Sequence, residues 1–336
     1  MKKLSGIYWL VFFAFVLLTV SGCKEEKKMT IGFLYPSDLT ERYNKESSYF
    51  EAYAAKHDVD VIIKTASYDE SLQIEIAREL IEKEIDAMVI IAVNVNTAAV
   101  IVREAHNEDI PVMAYNRMIT NSDVDFFVAC DNDLIGKIMV DGALKKSPSG
   151  NYVILGGHKF DKNGEELQKA VKKYLKPSVE SGSVNIVYET FIEQWTPAIA
   201  AFELEKVISL YGTDIDAAIV GYDGMANAVI EVLEKYDLEG KVAVTGQDAE
   251  VIGCKNIIAG KQAVTVFHPL KTLAEKAAEI SIEMAKGKNT KEFVNSSEFN
   301  GQVDVPTHRV NSIAVDKDNI DEVLIKSGFY KREDIY

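Results

Sequence analysis

Arg42 and Tyr43 stand side by side just beyond an apolar run, Met29 to Tyr35, where a long amphipathic segment, Tyr43 to His57, begins. The pattern recurs along the chain. Tyr115 is followed by Asn116-Arg117-Met118, Gly157 by His158, Lys159, Phe160, Asp161 and Asn163, and Thr190 by Glu193-Gln194-Trp195. Val220 precedes Tyr222 and Asp223, Thr245 precedes Gly246-Gln247-Asp248, and Val266 precedes Phe267-His268-Pro269. An arginine offers a planar fork of donors to paired oxygens, and a carboxylate accepts from neighbouring hydroxyls. Aromatic rings cover the apolar faces of a sugar ring. Together these side chains suit an uncharged polyol. A glycosidase needs two carboxylates about 5–10 Å apart across a scissile bond. Arginines flanked by aromatics describe holding, so no enzymatic activity and no cofactor are expected.

Each of these residues has a plainer reading. Asp223 or Asp248 could cap a helix. Trp195 could be core, Arg42 a solvated first-turn side chain, and Arg117 a partner of Asp38 or Asp131. What outweighs the single positions is their recurrence at one place in the pattern. Short apolar runs alternate with amphipathic segments. Strands are expected at Met29–Tyr35, Val59–Ala66, Ala87–Val93, Pro111–Tyr115 and Asp125–Ala129, with helices between them. The alternation restarts near Asp131, with strands at Tyr152–Leu155, Val184–Thr190, Asp216–Val220, Val242–Thr245 and Ala263–Phe267. A helix is expected over Leu270 to Ala285. The tail from Thr290 reads as irregular apart from an extended stretch at Arg309–Val315.

The continuous apolar run Ala87–Val93 is that of a strand buried on both faces. Strand-helix alternation implies parallel sheets with right-handed crossovers, and two such runs imply an α/β chain of two doubly wound parallel-sheet lobes. In such sheets ligands bind beyond the carboxyl ends of the strands, which is where the arginines, carboxylates and aromatics fall.

Composition removes several alternatives. A length of 336 residues suits two domains. A formal charge of −15 repels phosphate backbones, so nucleic acid is not expected as a partner. No strand is followed by GxGxxG or GxxxxGK[ST], which removes the usual nucleotide cradles. Cys130 and Cys254 have neither CxxC spacing nor paired histidines, so they are expected as buried free thiols with no metal site. At the N-terminus Lys2 and Lys3 precede an apolar stretch, Ile7 to Val20, that is short for a membrane span. It ends in Val20-Ser21-Gly22-Cys23, which resembles a bacterial lipobox. That resemblance implies removal of residues 1–22, a diacylglycerol thioether on Cys23, a tether over 23–28, and a body held outside the cytoplasmic membrane.

From Met29 onward the chain resembles the type I periplasmic sugar-binding family, in the branch that takes D-xylose. The carriers are Leu39-Thr40-Glu41-Arg42-Tyr43, Ala114-Tyr115-Asn116-Arg117-Met118-Ile119, Gly150-Asn151-Tyr152, Asp161-Lys162-Asn163, Trp195-Thr196-Pro197, Gly246-Gln247-Asp248 and Asp304-Val305-Pro306. The resemblance implies three segments crossing between the lobes. One lobe would be 29–131 with about 268–304, and the other 132–267 with about 305–336. It implies sugar contacts from Arg42, Tyr43 and Arg117 on one wall and Asp161, Asn163, Trp195 and Asp248 on the other. Tyr222 stands where the family has an asparagine and His268 where it has a lysine, so the ligand is expected to be D-xylose or a close pentose. The implied partner is an ABC permease or, alternatively, a membrane sensor kinase, served by a monomer.

Overall fold

The computed structural model describes residues 27–39, 41–159 and 161–336. The basic and apolar N-terminal stretch expected to be removed, Cys23 and Phe160 lie outside the described residues. Among those described, no helix is long and apolar enough to cross a membrane.

The first sheet has seven strands. Its first five are β1 (Thr30–Tyr35), β2 (Asp60–Thr65), β3 (Ala87–Ile90), β4 (Val112–Tyr115) and β5 (Phe126–Cys130). They lie in the order 5-4-3-1-2, all parallel. Every residue of β3, β4 and β5 is buried, because helices cover both faces and no strand face meets water. On one face α1 (Glu41–Lys56) packs along α9 (Leu270–Ala285). On the other lie α2 (Glu70–Glu82) and α3 (Ala99–His106), whose buried Ile76, Leu80, Ile101 and Val102 meet Met88, Ile90 and Val112.

The second sheet runs in the order β7 (Val184–Phe191), β6 (Gly150–Gly156), β8 (Ala217–Val220) and β9 (Ala243–Thr245), again parallel. A bridge from Thr245 to Val264 leads on to β10 (Thr265–Phe267), which pairs antiparallel with β13 (Ile313–Val315). The helices α4 (Asn132–Lys146) and α5 (Lys162–Glu180) pack on one side of this sheet. α6 (Pro197–Tyr211) and α7 (Asp223–Glu234) pack on the other, and α8 (Val251–Ile258) lies next to α7. α4 and α5 begin on capping aspartates: Asp131 accepts from the amides of Asp133 and Leu134, and Asp161 accepts from that of Asn163.

The tail is more regular than its sequence suggests. β11 (Ser296–Phe299) and β12 (Asp304–Val310) form an antiparallel pair, and β12 extends the first sheet by lying parallel to β5. Residues 305–310, expected in the second lobe, therefore belong to the first. The reason is the ladder from Thr307–Phe127 to Val310–Cys130, which holds β12 in place until the chain turns away at Asn311. The chain thus passes between the sheets at Cys130–Asn132, at Phe267–Leu270 and again at Val310–Ile313.

Candidate ligand site between the lobes

The strand ends of both sheets open into one cavity of about 970 Å³. It lies at the upper end of the range of about 300–1,000 Å³ usual for small-molecule sites. Arg42, Tyr43, Arg117, Asp161, Asn163, Trp195, Tyr222, Asp248 and His268 all line it.

Arg42 leaves the first turn of α1 and joins the two walls. Its Nε donates to Glu46 Oε1 at 3.2 Å, one helical turn on, and its Nη1 donates to Asp248 Oδ1 at 3.2 Å from beyond β9. It is not a solvated side chain. Burial disfavours its charge, but Glu46 and Asp248 more than offset that, and its pKa is raised. Glu46 is fully buried, and its Oε2 has no hydrogen-bond partner. Burial raises the pKa of this carboxyl against the pull of Arg42.

Asp248 Oδ1 also lies 3.3 Å from His268 Nε2, and His268 Nδ1 lies 2.8 Å from Ser312 Oγ. His268 is only 4% exposed. Burial opposes its charge, but Cys130 and Asp248 prevail and lift its pKa to about 9. The imidazole sits at the second crossing, Ser312 at the third and Cys130 at the first. One side chain therefore touches all three passages between the lobes. Cys130 and Cys254 are both free and buried, as expected. Cys130, however, also lines the cavity. Burial raises its pKa, but His268 and Arg42 outweigh that and the net shift is downward.

Arg117 is different. The one hydrogen bond the structure gives it is from Nη1 to the Ala92 carbonyl at 3.2 Å, and it pairs with neither Asp38 nor Asp131. It lines the cavity. Beside it Tyr43 is buried, with its ring 6.2 Å from that of Tyr35.

On the far wall Trp195 donates from Nε1 to Asp161 Oδ2 at 3.3 Å, and its ring meets Tyr222 edge-on at 6.5 Å. Its backbone is left-handed, with φ 53° after φ 51° at Gln194, a costly conformation for a bulky side chain. The ring lies directly over two strand ends. A Cβ on Gly157 would fall 2.1 Å from the indole and one on Gly221 2.9 Å, so only glycine allows this approach. Asn163 completes the wall. Its Nδ2 donates across the cleft to the Asn116 carbonyl at 3.2 Å.

Asp223, weighed above as a cap, does not reach the cavity. It is fully buried and accepts from Thr265 Oγ1, Gln262 Nε2 and the Glu250 amide, tying together the ends of β9 and β10. Residues missed in the sequence include Glu46, Asn132 and Tyr68. Asn94 and Asn96 line the cavity beyond β3, where the strand-end rule applied to β3 would have found them.

Residues 31–289 match the family model described as periplasmic binding protein domain. The chain is 35% identical over 336 residues to the D-xylose-binding periplasmic protein of Haemophilus influenzae, with both chains covered in full. It is 33% identical to the protein of that name from Escherichia coli K12, over 95% of this chain and 96% of the other. Among solved structures it superposes with a TM-score of 0.79 on an ABC transporter solute-binding protein from Clostridium phytofermentans with bound β-D-glucose. That match has 25% identity and covers 91% of this chain and all of that one.

The two arginines should respond differently to truncation. Arg42→Ala leaves Glu46 buried without its cation and is expected to cost about 3–5 kcal/mol in urea unfolding. Arg117→Ala loses one bond to a carbonyl and relieves a buried charge, for a cost of about 1 kcal/mol or less. Equal costs would mean that Arg117 has a structural partner.

Proposed function

Because the chain belongs to the periplasmic binding protein family, we propose that it holds one monosaccharide, D-xylose or a close pentose, between its lobes and delivers it to an ABC permease. The observation that carries this reading is the contrast across the cavity. Arg117 keeps its donors unspent on one wall, and an indole is held in a strained turn on the other. A sugar laid on Trp195 places its ring oxygen and hydroxyls toward Arg117, Asp161, Asn163 and the free oxygen of Asp248. Tyr43 closes the other face.

Contacts from both lobes are what make binding favour closure. Arg42, Arg117 and Tyr43 belong to the first lobe, and Trp195, Asp161, Asn163 and Asp248 to the second. The volume of the cavity supports the same view, since a single pentose fills only part of it and leaves room for the walls to approach. Tyr222 and His268 set the choice of sugar. Tyr222 brings a hydroxyl and a large ring where an amide would both donate and accept. His268 is already engaged with Asp248 and Ser312.

In a thermal-shift screen of pentoses and hexoses, a pentose should give the largest stabilisation, with D-xylose first. Arg117→Ala and Trp195→Ala should each weaken binding by about tenfold or more in calorimetry, since each leaves sugar groups without partners at about 1–3 kcal/mol. Far-UV circular dichroism should be unchanged. Unaltered affinity in both variants sinks the assignment of the cleft.

The body is further proposed to be tethered outside the cytoplasmic membrane by a lipid on Cys23, on the basis of Val20-Ser21-Gly22-Cys23. Mass spectrometry of the N-terminal peptide should find it starting at Cys23 with a diacylglycerol adduct. An unmodified Cys23 with residues 1–22 attached contradicts the anchor.

A further inference from the structure

A second cavity of about 590 Å³ lies at the first and third crossings, lined by the start of α4 and by α5, β11 and β12. Arg309 of β12 is central to it. Its Nη1 donates to the Cys130 carbonyl at 2.8 Å, at the first crossing. Its Nη2 pairs with Glu298 of β11 and lies 3.9 Å from Glu166 of α5. Glu166 belongs to the second lobe and Glu298 to the first, so the guanidinium lies between the two lobes. Lys162 flanks Glu166 at 3.5 Å. Burial pushes the Glu298 carboxyl up to about 7 against the pull of Arg309, and Glu166 adds to the push.

Glu166 also reaches forward. Asn132, the buried first residue of α4, donates from Nδ2 to Glu166 Oε2 at 2.8 Å and from the same Nδ2 to Asn163 Oδ1 at 3.0 Å. As a carboxylate Glu166 can only accept, so Asn132 must turn its NH₂ that way. The second hydrogen of that NH₂ then meets Asn163, whose oxygen must point back at Asn132. The Asn163 NH₂ is left facing the cavity, where it now donates to the Asn116 carbonyl. The polarity of hydrogen bonding therefore runs in one direction from Glu166 to the sugar cavity.

We propose that Glu166, acting through Asn132, is a positioning residue that makes Asn163 a donor to the bound sugar and so selects a hydroxyl that accepts. The inference rests on the monosaccharide reading above. It adds Glu166, which does not line the sugar cavity, and Asn132, which joins it to Asn163, to the determinants of specificity. Arg309 belongs to the same device, because its guanidinium, paired with Glu298, reaches within 3.9 Å of Glu166 from the first lobe.

The polarity can be reversed without changing side-chain size. In Glu166→Gln with Asn132→Asp, residue 132 accepts from both neighbours, so Asn163 must offer its NH₂ to it and turn its oxygen to the sugar. The full chain and this double variant are titrated by calorimetry with D-xylose and with its 2-, 3- and 4-fluoro analogues. Fluorine can accept weakly but cannot donate. For the analogue substituted where Asn163 makes contact, the ratio of fluoro to parent Kd should rise by about tenfold in the double variant, the worth of one hydrogen bond of about 1.4 kcal/mol. The single variant Glu166→Gln, which permits both orientations, should fall between, and it decides the matter if the double variant does not fold. A merely structural role would weaken parent and analogues alike. All three ratios unchanged within about twofold overturns the inference, whereas failure of the unaltered chain to bind D-xylose or any other pentose overturns the functional reading beneath it.

Discussion

A guanidinium lodged between two carboxylates, one from each lobe, is the constraint on which the rest of this structure depends. Arg42 is largely withdrawn from water, and so is Glu46, whose ion pair among the described residues is with Arg42. Taking such charges out of water costs several kcal/mol each unless their geometry is good. Asp248 therefore has to approach from the second lobe, and His268 has to approach Asp248 from the hinge. The closeness of the two walls at this point reflects a demand for charge compensation rather than a large apolar contact. A ligand entering beside it meets a network whose charges are already matched, which suits a neutral polyol better than an ion.

The opposite constraint operates where the walls face each other without touching. Left-handed backbone collects at the strand ends: Asn116, Gln194, Trp195, Asp248 and Ala249 all have φ between 49° and 84°. Asparagine and aspartate adopt that conformation at modest cost, but tryptophan and alanine do not. The surrounding fold holds them there. Val264 and Val266 bond the amides of Gly246 and Asp248, and Ile192 bonds that of Trp195. Strain of this kind is sustained by packing elsewhere, here the continuous apolar strands that fill both sheets. The cavity is preformed because its lining cannot relax without unpairing the strand ends.

Much of this was legible in the sequence. Continuous apolar runs marked the buried parallel strands. Of the residues just beyond them, Arg42, Tyr43, Arg117, Asp161, Asn163, Trp195, Tyr222, Asp248 and His268 line the cavity, because a parallel sheet delivers every strand end to the same edge, whereas Asp223 is buried among the strand ends. What was not legible depends on pairing between distant segments. Nothing local marks Ser296–Phe299 and Asp304–Val310 as strands. They become strands because β5 offers an open edge, and that edge carries the lobe boundary past residue 305. Glu46 reads as one more polar residue on an amphipathic helix until Arg42 folds back on it. Asn132 follows a capping aspartate and looks like surface. Its role appears only when α5 brings Glu166 and Asn163 to the same amide. Cys130 read as a plain core thiol, and its meeting with His268 depends on three crossings converging.

The central claim is that a sugar lies against Trp195 with both lobes around it. The chain has two tryptophans, Trp9 in the N-terminal apolar stretch and Trp195 in the cleft. Changing Trp9 to phenylalanine therefore leaves one indole as a direct reporter of occupancy. Its fluorescence is followed while D-xylose and a panel of other pentoses and hexoses are added to the full chain. The account predicts a saturable change in Trp195 emission with D-xylose or another pentose, at one sugar per chain. An indole signal that stays flat through the whole panel would contradict it.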